Sequence, residues 1–297
     1  MPFTTTLRHL LPCAVVLSSA TAHAAITGPY TADGDTLHLW HLDEADPGPA
    51  VPAAGVTGSF NLTPDAGKSP GSPATLGNTS FAGFGTSADT SAGQGSGMKG
   101  SSISPGALTG ANGAFTFEAI INIPSINTLQ MIIGMDSNAS NSLRPFQFRI
   151  DNGQLRFINI AGSTIGQHLG VIPTTGEDAF VANEWFHVAV TYDGNENTSD
   201  NIKFYWTRMD DSRTEANLVA SDSDMVEDLS GNSAIFGAGN DYRTSGSGNT
   251  NNLEGRIDEV RISSIARSSD DFLFAVPEPS SLALIGIGGL LVARRRR

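Results

Sequence analysis

The feature that most limits the fold of this chain is the stretch FQFRIDNGQLRFINI at residues 146–160, where an Asn-Gly pair separates two runs of alternating apolar and polar residues. Asn152 and Gly153 suit a two-residue turn in which both φ angles are positive, a tight connection between antiparallel strands. Counting outward from this turn pairs Phe148 with Phe157 on one face of the two strands. The stretch therefore predicts a β-hairpin and also its register.

The same register places Arg149 directly opposite Arg156. Like charges that face each other on neighbouring strands are mildly destabilising. Exposure to solvent, an acidic neighbour or an anionic ligand such as a uronic-acid-rich polysaccharide would each offset the repulsion. The chain is rich in acidic residues, which favours an acidic neighbour, and the other two explanations stay open.

Further strands follow from the same kind of pattern. FTFEAIINI at residues 115–123 alternates apolar and polar positions, as a half-buried strand does. Residues 184–194 and 202–209 form a second pair joined by a polar loop, and residues 255–263 form a last strand. No stretch predicts a helix of convincing length, so we expect an all-β sandwich or jelly roll of two antiparallel sheets. Within residues 46–113, which are rich in small residues, the strand order stays open.

Both ends of the chain indicate export. Residues 1–24 combine one arginine, an apolar run and a small-x-small cleavage site, as a secretory signal peptide does. Residues 276–297 contain Pro277, Glu278 and Pro279, then an apolar run of 12 residues and four arginines. That run is short against the roughly 20 residues of a membrane-spanning helix, and the arginines favour the cytoplasmic side. We therefore expect a tail that anchors the chain in the inner membrane only transiently, behind one folded domain at residues 25–275.

Composition narrows the classes of partner. The net charge is −13, and five of the 17 basic residues lie within the two terminal signals, so the domain between them is still more acidic. Nucleic acids and anionic lipids attract basic surfaces, so neither is expected as a partner. The single cysteine, Cys13, lies in the signal peptide, so the domain has no disulfide to stabilise it.

The order of Pro-Glu-Pro, apolar run and arginines resembles the PEP-CTERM sorting tail. This resemblance implies a Gram-negative-type bacterium, recognition of Pro277, Glu278 and Pro279 by an exosortase, cleavage beside them, and transfer to the cell surface or the extracellular space.

A second resemblance concerns the domain. LHLWHLDEA at residues 37–45, FTFEAIINIPS at 115–125, NEWFHVAVTYDG at 183–194 and LEGRIDEVRISSIARSSDDF at 253–272 occur in the order found in LamG-like, concanavalin A-like jelly rolls. The resemblance implies two curved antiparallel sheets, often a calcium ion, and recognition of glycans or proteins. It does not indicate a particular ligand.

The candidate calcium ligands are Asp258, Asp43 and Glu44. Asp258 has the same parity as Val260 and Ile262, so simple alternation places its charge among apolar neighbours, where a carboxylate needs a cation or several hydrogen-bond donors. Asp43 and Glu44 follow the first strand, which in a jelly roll runs near the last one, and calcium takes about 6 to 8 oxygen ligands. The alternative is that Asp258 accepts backbone N–H groups.

Catalytic patterns are missing from the sequence. Laminarinase-type glycosidases share the architecture and need two carboxylates about 5 Å apart on one strand face, whereas alternation places Asp258 and Glu259 on opposite faces. A glycoside hydrolase is therefore the least favoured function. We expect a non-catalytic surface or matrix protein that binds a glycan or a protein, with Tyr205, Trp206 and Tyr242 as candidates for contacting an extracellular polysaccharide or surface glycan. The alternative is a structural or adhesive matrix protein without specific glycan recognition.

Overall fold

The computed structural model describes residues 28–56, 59–67, 71–136, 145–161, 164–210, 213, 215–223, 229, 232–243, 248 and 250–272. Within these ranges two antiparallel β-sheets form a sandwich, with short 3₁₀ helices at Pro105–Leu108 and Ala111–Gly113, which confirms the predicted all-β fold. No helix in the described part is long and apolar enough to span a bilayer. The predicted signal peptide and the sorting tail lie outside the described residues.

The two sheets have the following strand orders. The first sheet runs through β13 (Leu218–Asp222), β12 (Ile202–Arg208), β11 (Trp185–Tyr192), β6 (Phe115–Asn122), β15 (Arg256–Ser263), β4 (Thr86–Asp89) and β3 (Thr75–Thr79), and β1 (Thr36–Trp40) also pairs with β15. The second sheet runs through β10 (Thr164–Val171), β9 (Gln154–Ala161), β8 (Phe146–Ile150), β7 (Gln130–Asp136), β14 (Ala234–Ala238), β5 (Gly97–Ile103) and β2 (Thr63–Asp65). The first and last strands are therefore neighbours, as expected, and the early strands divide between the two sheets.

The Asn-Gly hairpin has the predicted register. β8 pairs with β9 so that Phe148 lies opposite Phe157 and Arg149 opposite Arg156. Asn152 has a φ of 50° and Gly153 a φ of 78°, both in the left-handed region that this turn requires. The other predicted pair is also present, because β11 and β12 are antiparallel and joined by the loop at residues 193–201.

Aromatic side chains fill the space between the sheets. Phe115 and Phe117 of β6 stack on each other with ring centroids 4.6 Å apart, and Phe117 stacks on Phe146 of the second sheet at 4.7 Å. Phe157 completes this group through contacts with all three rings. The predicted apolar parity of β6 therefore faces the core.

The opposite face of the first sheet, which we call the outer face, is covered as well. The residues on the polar parity of β6 are fully buried, namely Thr116, Glu118 and Ile120. The prediction that one face of this strand is exposed to solvent is therefore wrong. A second apolar cluster lies on the outer face, with members from several strands and from both ends of the described domain: Tyr30, Leu39, Phe84, Ile120, Trp185, Ala189, Tyr205, Met209, Ala216 and Phe272. The segments around Tyr30 and Phe272 therefore cover the outer face, which the alternating pattern predicts to be exposed to solvent.

A β-bulge in β15 changes which residues share a face. Asp258 pairs with Ile120 of β6 and Arg261 pairs with Glu118, so three steps on one strand match two on the other. Glu259 absorbs the extra residue with a φ of 50°. The sequence-based assignment of Asp258 to the face of Val260 is therefore wrong: Asp258 shares the outer face with Arg261, while Val260 packs in the core.

The hairpin turn provides a test of the fold. A Cβ at Gly153 would have open space around it, so Gly153→Ala introduces only backbone strain in the left-handed region. We expect the free energy of unfolding in urea to fall by about 1–2 kcal/mol. Gly34 also has open space but no left-handed φ, so Gly34→Ala is the matched control and should have little effect. Equal effects of the two substitutions would contradict the assigned turn.

Candidate functional site

Asp258 is fully buried on the outer face. Its Oδ1 accepts the backbone N–H of Glu259 at 2.8 Å, and its Oδ2 accepts a short hydrogen bond from the Ser80 hydroxyl. Burial, and after it the charge of Glu259, raises the pKa of Asp258 well above its ordinary value. Folding therefore shifts the protonation equilibrium of this carboxyl towards its neutral form.

The other two candidate calcium ligands face different partners. Asp43 is exposed, and its Oδ1 accepts the backbone N–H of Thr86 at 2.6 Å. Glu44 Oε1 accepts the backbone N–H of Val51 at 2.7 Å. The charge of Asp43 contributes to the raised pKa of Asp258, so the structure brings these two carboxyls into one neighbourhood.

The three candidate calcium ligands each have a hydrogen bond with the backbone. One carboxylate oxygen of Asp258, of Asp43 and of Glu44 is already used by a backbone N–H. Within the described ranges, no group of three or more His, Cys, Asp or Glu side chains is arranged to hold a metal ion. The two hydrogen bonds of Asp258 offset part of the free-energy cost of burying its carboxyl, and the raised pKa reflects the cost that remains for the charged form. Calcium binding remains a prediction, which melting in the presence and absence of calcium tests.

Glu118 is the centre of a buried polar cluster that was not predicted from the sequence. Its Oε1 accepts a hydrogen bond from Arg261 Nε at 2.6 Å, and its Oε2 accepts one from the Tyr30 hydroxyl at 2.5 Å. His187 Nε2 lies 3.2 Å from the same Oε2. Burial alone raises the pKa of a carboxyl, but the charge of Arg261 and the hydrogen bonds from His187 and Arg261 outweigh it and hold the pKa of Glu118 at about 2.

Both ends of the described domain join this cluster. Tyr30 places its ring 4.0 Å from the guanidinium carbon of Arg261, and burial, followed by the charge of Glu118, raises the pKa of its hydroxyl well above 10.0. Near the other end, Arg267 donates from Nε to Ser263 Oγ at 2.7 Å and from Nη2 to Asp33 Oδ1 at 2.8 Å. We call Tyr30, Glu118, His187, Arg261 and Arg267 the Glu118 cluster.

The bulge residue Glu259 binds the N-terminal segment a second time. Its Oε2 accepts the backbone N–H of Tyr30 at 2.8 Å, and its Oε1 lies 2.9 Å from His41 Nδ1. The hydrogen bond with Glu259 raises the pKa of His41, while burial raises the pKa of Glu259. The bulge residue, with its left-handed φ, thus links the last strand to the N-terminal segment through Tyr30 and His41.

The candidate aromatic ligand residues all lie inside the protein. Trp206 and Tyr242 are fully buried, and Tyr205 is 4% exposed. Trp206 stacks on Phe186 at 4.5 Å in the core, and its Nε1 donates to the Asp178 carbonyl. None of the three rings presents a face on which a sugar can stack in this conformation. A stacking role would require each of these rings to become exposed.

Tyr205 nevertheless lines a cavity of about 300 Å³ on the outer face. Neighbouring walls come from Thr191 of β11, Lys203 of β12 and Leu218 of β13. The loop at residues 193–201 and the segment at residues 266–269 complete the rim. Thr191 and Lys203 are not among the candidate residues predicted from the sequence. Lys203 nevertheless shares the parity of Tyr205, and cross-strand pairing puts it opposite Thr191.

The charge pair in the hairpin has an acidic neighbour. Arg149 Nη2 donates to Asp151 Oδ2 at 3.1 Å, and Arg156 Nη1 lies 3.4 Å from the same oxygen. Of the three explanations left open by the sequence, the acidic neighbour is the one present in the structure. A uronic-acid-rich ligand is not needed to explain the pair.

Comparisons with known proteins agree with both resemblances seen in the sequence. A family profile described as the concanavalin A-like lectin/glucanases superfamily matches residues 95–271, more than half of the 297-residue chain. A profile of the PEP-CTERM protein-sorting motif matches residues 275–297. No protein of curated function matches the chain significantly.

Solved structures resemble the chain at the level of the fold. Domain 4 of an extracellular family 43 arabinanase from Geobacillus stearothermophilus, in complex with arabinotriose, is 14% identical with a TM-score of 0.51, over 80% of this chain and 96% of that one. Trypanosoma rangeli sialidase in complex with sialic acid is 10% identical with a TM-score of 0.50, over 84% of this chain and 35% of that one. The chain thus spans about a third of the sialidase.

The buried carboxyls predict an unusual pH dependence. Because the folded-state pKa of Asp258 lies above 3.8, its contribution to stability is fully present below that pH and is lost as the pH rises. Glu118, with its pKa lowered from 4.5 to about 2, contributes stability above pH 4.5 that is lost as the pH falls towards 2. We expect Asp258→Asn to raise the melting temperature at pH 8, to have a smaller effect at pH 4.5, and to leave the acid limb unchanged.

The matched control is the same substitution at an exposed carboxylate, Asp35→Asn. Melting in millimolar calcium and in EDTA tests the metal in the same experiment. Identical wild-type curves would eliminate calcium. A calcium-dependent rise that disappears in Asp258→Asn would establish the predicted site and contradict the explanation from protonation alone.

Proposed function

Because the chain belongs to the concanavalin A-like lectin/glucanases superfamily and carries a PEP-CTERM sorting motif, we propose that it is an exported bacterial surface or matrix protein that binds a polysaccharide without cleaving it. Four residues separate the buried Phe272 from Pro277, the first residue of the Pro-Glu-Pro element. The two profiles are similarly close, since one ends at residue 271 and the other begins at residue 275. Only a short segment therefore separates the domain from the sorting motif that the exosortase would recognise.

The main support for a binding function is the outer-face cavity. It combines carboxylate, ammonium, amide and hydroxyl groups with the partly exposed side chain of Leu218. Sugar recognition uses this combination, because hydroxyls need donors and acceptors while the C–H faces of the ring need an apolar surface. The cavity volume lies at the lower end of the range of about 300–1,000 Å³ found for small-ligand sites.

The arrangement of the buried acids favours binding over hydrolysis. Glu118, Asp258 and Glu259 are each fully buried, so a glycosidic oxygen has no direct access to them. Glu118 is in addition held ionised by Arg261 and His187, whereas a general acid needs a proton to give away. A fold shared with glucanases carries no activity by itself.

The sorting motif supports the route to the cell surface. We propose that an exosortase in the inner membrane cleaves beside Pro277, Glu278 and Pro279 and releases the domain from a transient anchor. The apolar run that follows is 12 residues long, which suits a temporary tether. The final location in this proposal is the cell surface or the extracellular matrix.

Truncation after Val276 tests both parts of this proposal. The protein should be exported, soluble and folded, because every described residue of the sandwich precedes the tail. Applied to a glycan array and to soluble polysaccharides, it should retain at least one polysaccharide and release no reducing sugar from it. Melting curves of the truncated and full chains provide the control for folding.

Three results would contradict the proposal. An unfolded truncated protein would make the tail part of the domain. Release of reducing sugar would make the protein a glycoside hydrolase. Adhesion to cells or matrix without retention of any polysaccharide would favour a structural or adhesive protein.

A further inference from the structure

We infer that the outer-face cavity binds one uncharged sugar residue of a polysaccharide, an inference that rests on the proposed function and specifies its site. The cavity walls come from three neighbouring strands of the first sheet and from the segment at residues 266–269. Thr191 and Lys203 are cross-strand partners, as are Tyr205 and Leu218, so these four side chains form one continuous patch.

The polar groups of this patch have unused hydrogen-bonding capacity. Among the described residues, the side chains of Thr191, Asp200, Lys203 and Tyr205 have no hydrogen-bond partner, and only one oxygen of Asp193 is used, by the N–H of Asn195. Thr191 is only 2% exposed, so its hydroxyl has little access to bulk water. Donors and acceptors from both strands and the loop therefore line one small space without satisfying one another.

An apolar side chain completes the patch. Leu218 is 46% exposed, although a large aliphatic side chain normally gains from burial. It lies opposite Tyr205 across the β12 and β13 pair, and both line the cavity. A sugar ring would cover Leu218 with its C–H face while its hydroxyls reach the polar groups. A fully ionic ligand offers no such surface.

The charges select against acidic sugars. Asp193 and Asp200 line the cavity, and after burial the charges of Asp270 and Asp271 contribute to raising the pKa of Tyr205. Of the two cations in the lining, Arg267 is already engaged by Asp33 and by Glu118. Lys203 is thus the cation left to meet a ligand. A uronate carboxylate would meet more negative than positive charge here, whereas an uncharged sugar avoids that repulsion.

The site also depends on the Glu118 cluster. Arg267 belongs to that cluster, and the next two residues, Ser268 and Ser269, form part of the cavity wall. The Ser269 carbonyl accepts the backbone N–H of Ala216, and Phe272 packs on Tyr205 with ring centroids 5.0 Å apart. The wall is therefore held in place before a ligand arrives, which lowers the entropic cost of binding.

The test uses the exported, tail-processed protein and measures affinity for a neutral glucan, a neutral arabinan, polygalacturonate and chitosan by titration calorimetry and affinity electrophoresis. We expect binding to a neutral polymer, at least tenfold weaker binding in Lys203→Ala, and a comparable loss in Leu218→Asp. Leu218 is partly exposed, so its substitution leaves the core intact. Asp35→Asn, at an exposed carboxylate outside the cavity, is the control and should bind as wild type.

The outcomes separate the site from the function. Wild-type binding to a neutral polymer that survives in both cavity variants would overturn this site and leave the proposed function standing. Preference for polygalacturonate, or binding to chitosan alone, would overturn the inferred ligand class. If the wild type bound none of these four polymers but retained another polysaccharide on a glycan array, the inferred site would fail and the function would stand. If it bound no polysaccharide at all, the proposed function would fail together with the site.

Discussion

The ion pair between Glu118 and Arg261 holds the outer half of this structure together. Both side chains are buried on a sheet face that alternation assigns to solvent, and burying either charge alone would cost several kcal/mol. Their 2.6 Å contact joins the central strand β6 to the last strand β15. Tyr30 then adds the N-terminal segment and Arg267 the C-terminal one. A domain without disulfides thus secures both of its ends through one carboxylate.

The bulge at Glu259 makes this arrangement possible. Without the extra residue, Asp258 and Arg261 would lie on opposite faces of β15, whereas the register shift puts both on the outer face. Glu259 itself then reaches the N–H of Tyr30 and the ring of His41. The cluster in turn fixes Arg267, whose neighbours Ser268 and Ser269 form one wall of the cavity. The stability of the outer face and the shape of the proposed binding site therefore have a common origin.

Local patterns predicted the fold better than they predicted the site. The Asn-Gly turn gave the register of β8 and β9 because a two-residue loop admits only one pairing. Alternation failed at Asp258, because one left-handed residue reverses the parity of a strand and leaves no clear mark in the sequence. It also misjudged the exposure of Glu118, because the covering residues Tyr30 and Phe272 come from distant parts of the chain. Aromatic residue type alone suggested Trp206, which packs in the core.

The most direct test is a double-mutant cycle between Glu118→Gln and Arg261→Met, measured as free energies of unfolding in urea at pH 7. Each single substitution leaves a buried charge without its partner and should cost about 3–5 kcal/mol. The double substitution removes both charges, so its cost should be smaller than the sum of the two by at least about 1 kcal/mol. Costs that add to within about 0.5 kcal/mol would mean that the two side chains do not stabilise each other. That result would contradict the central role of the Glu118 cluster.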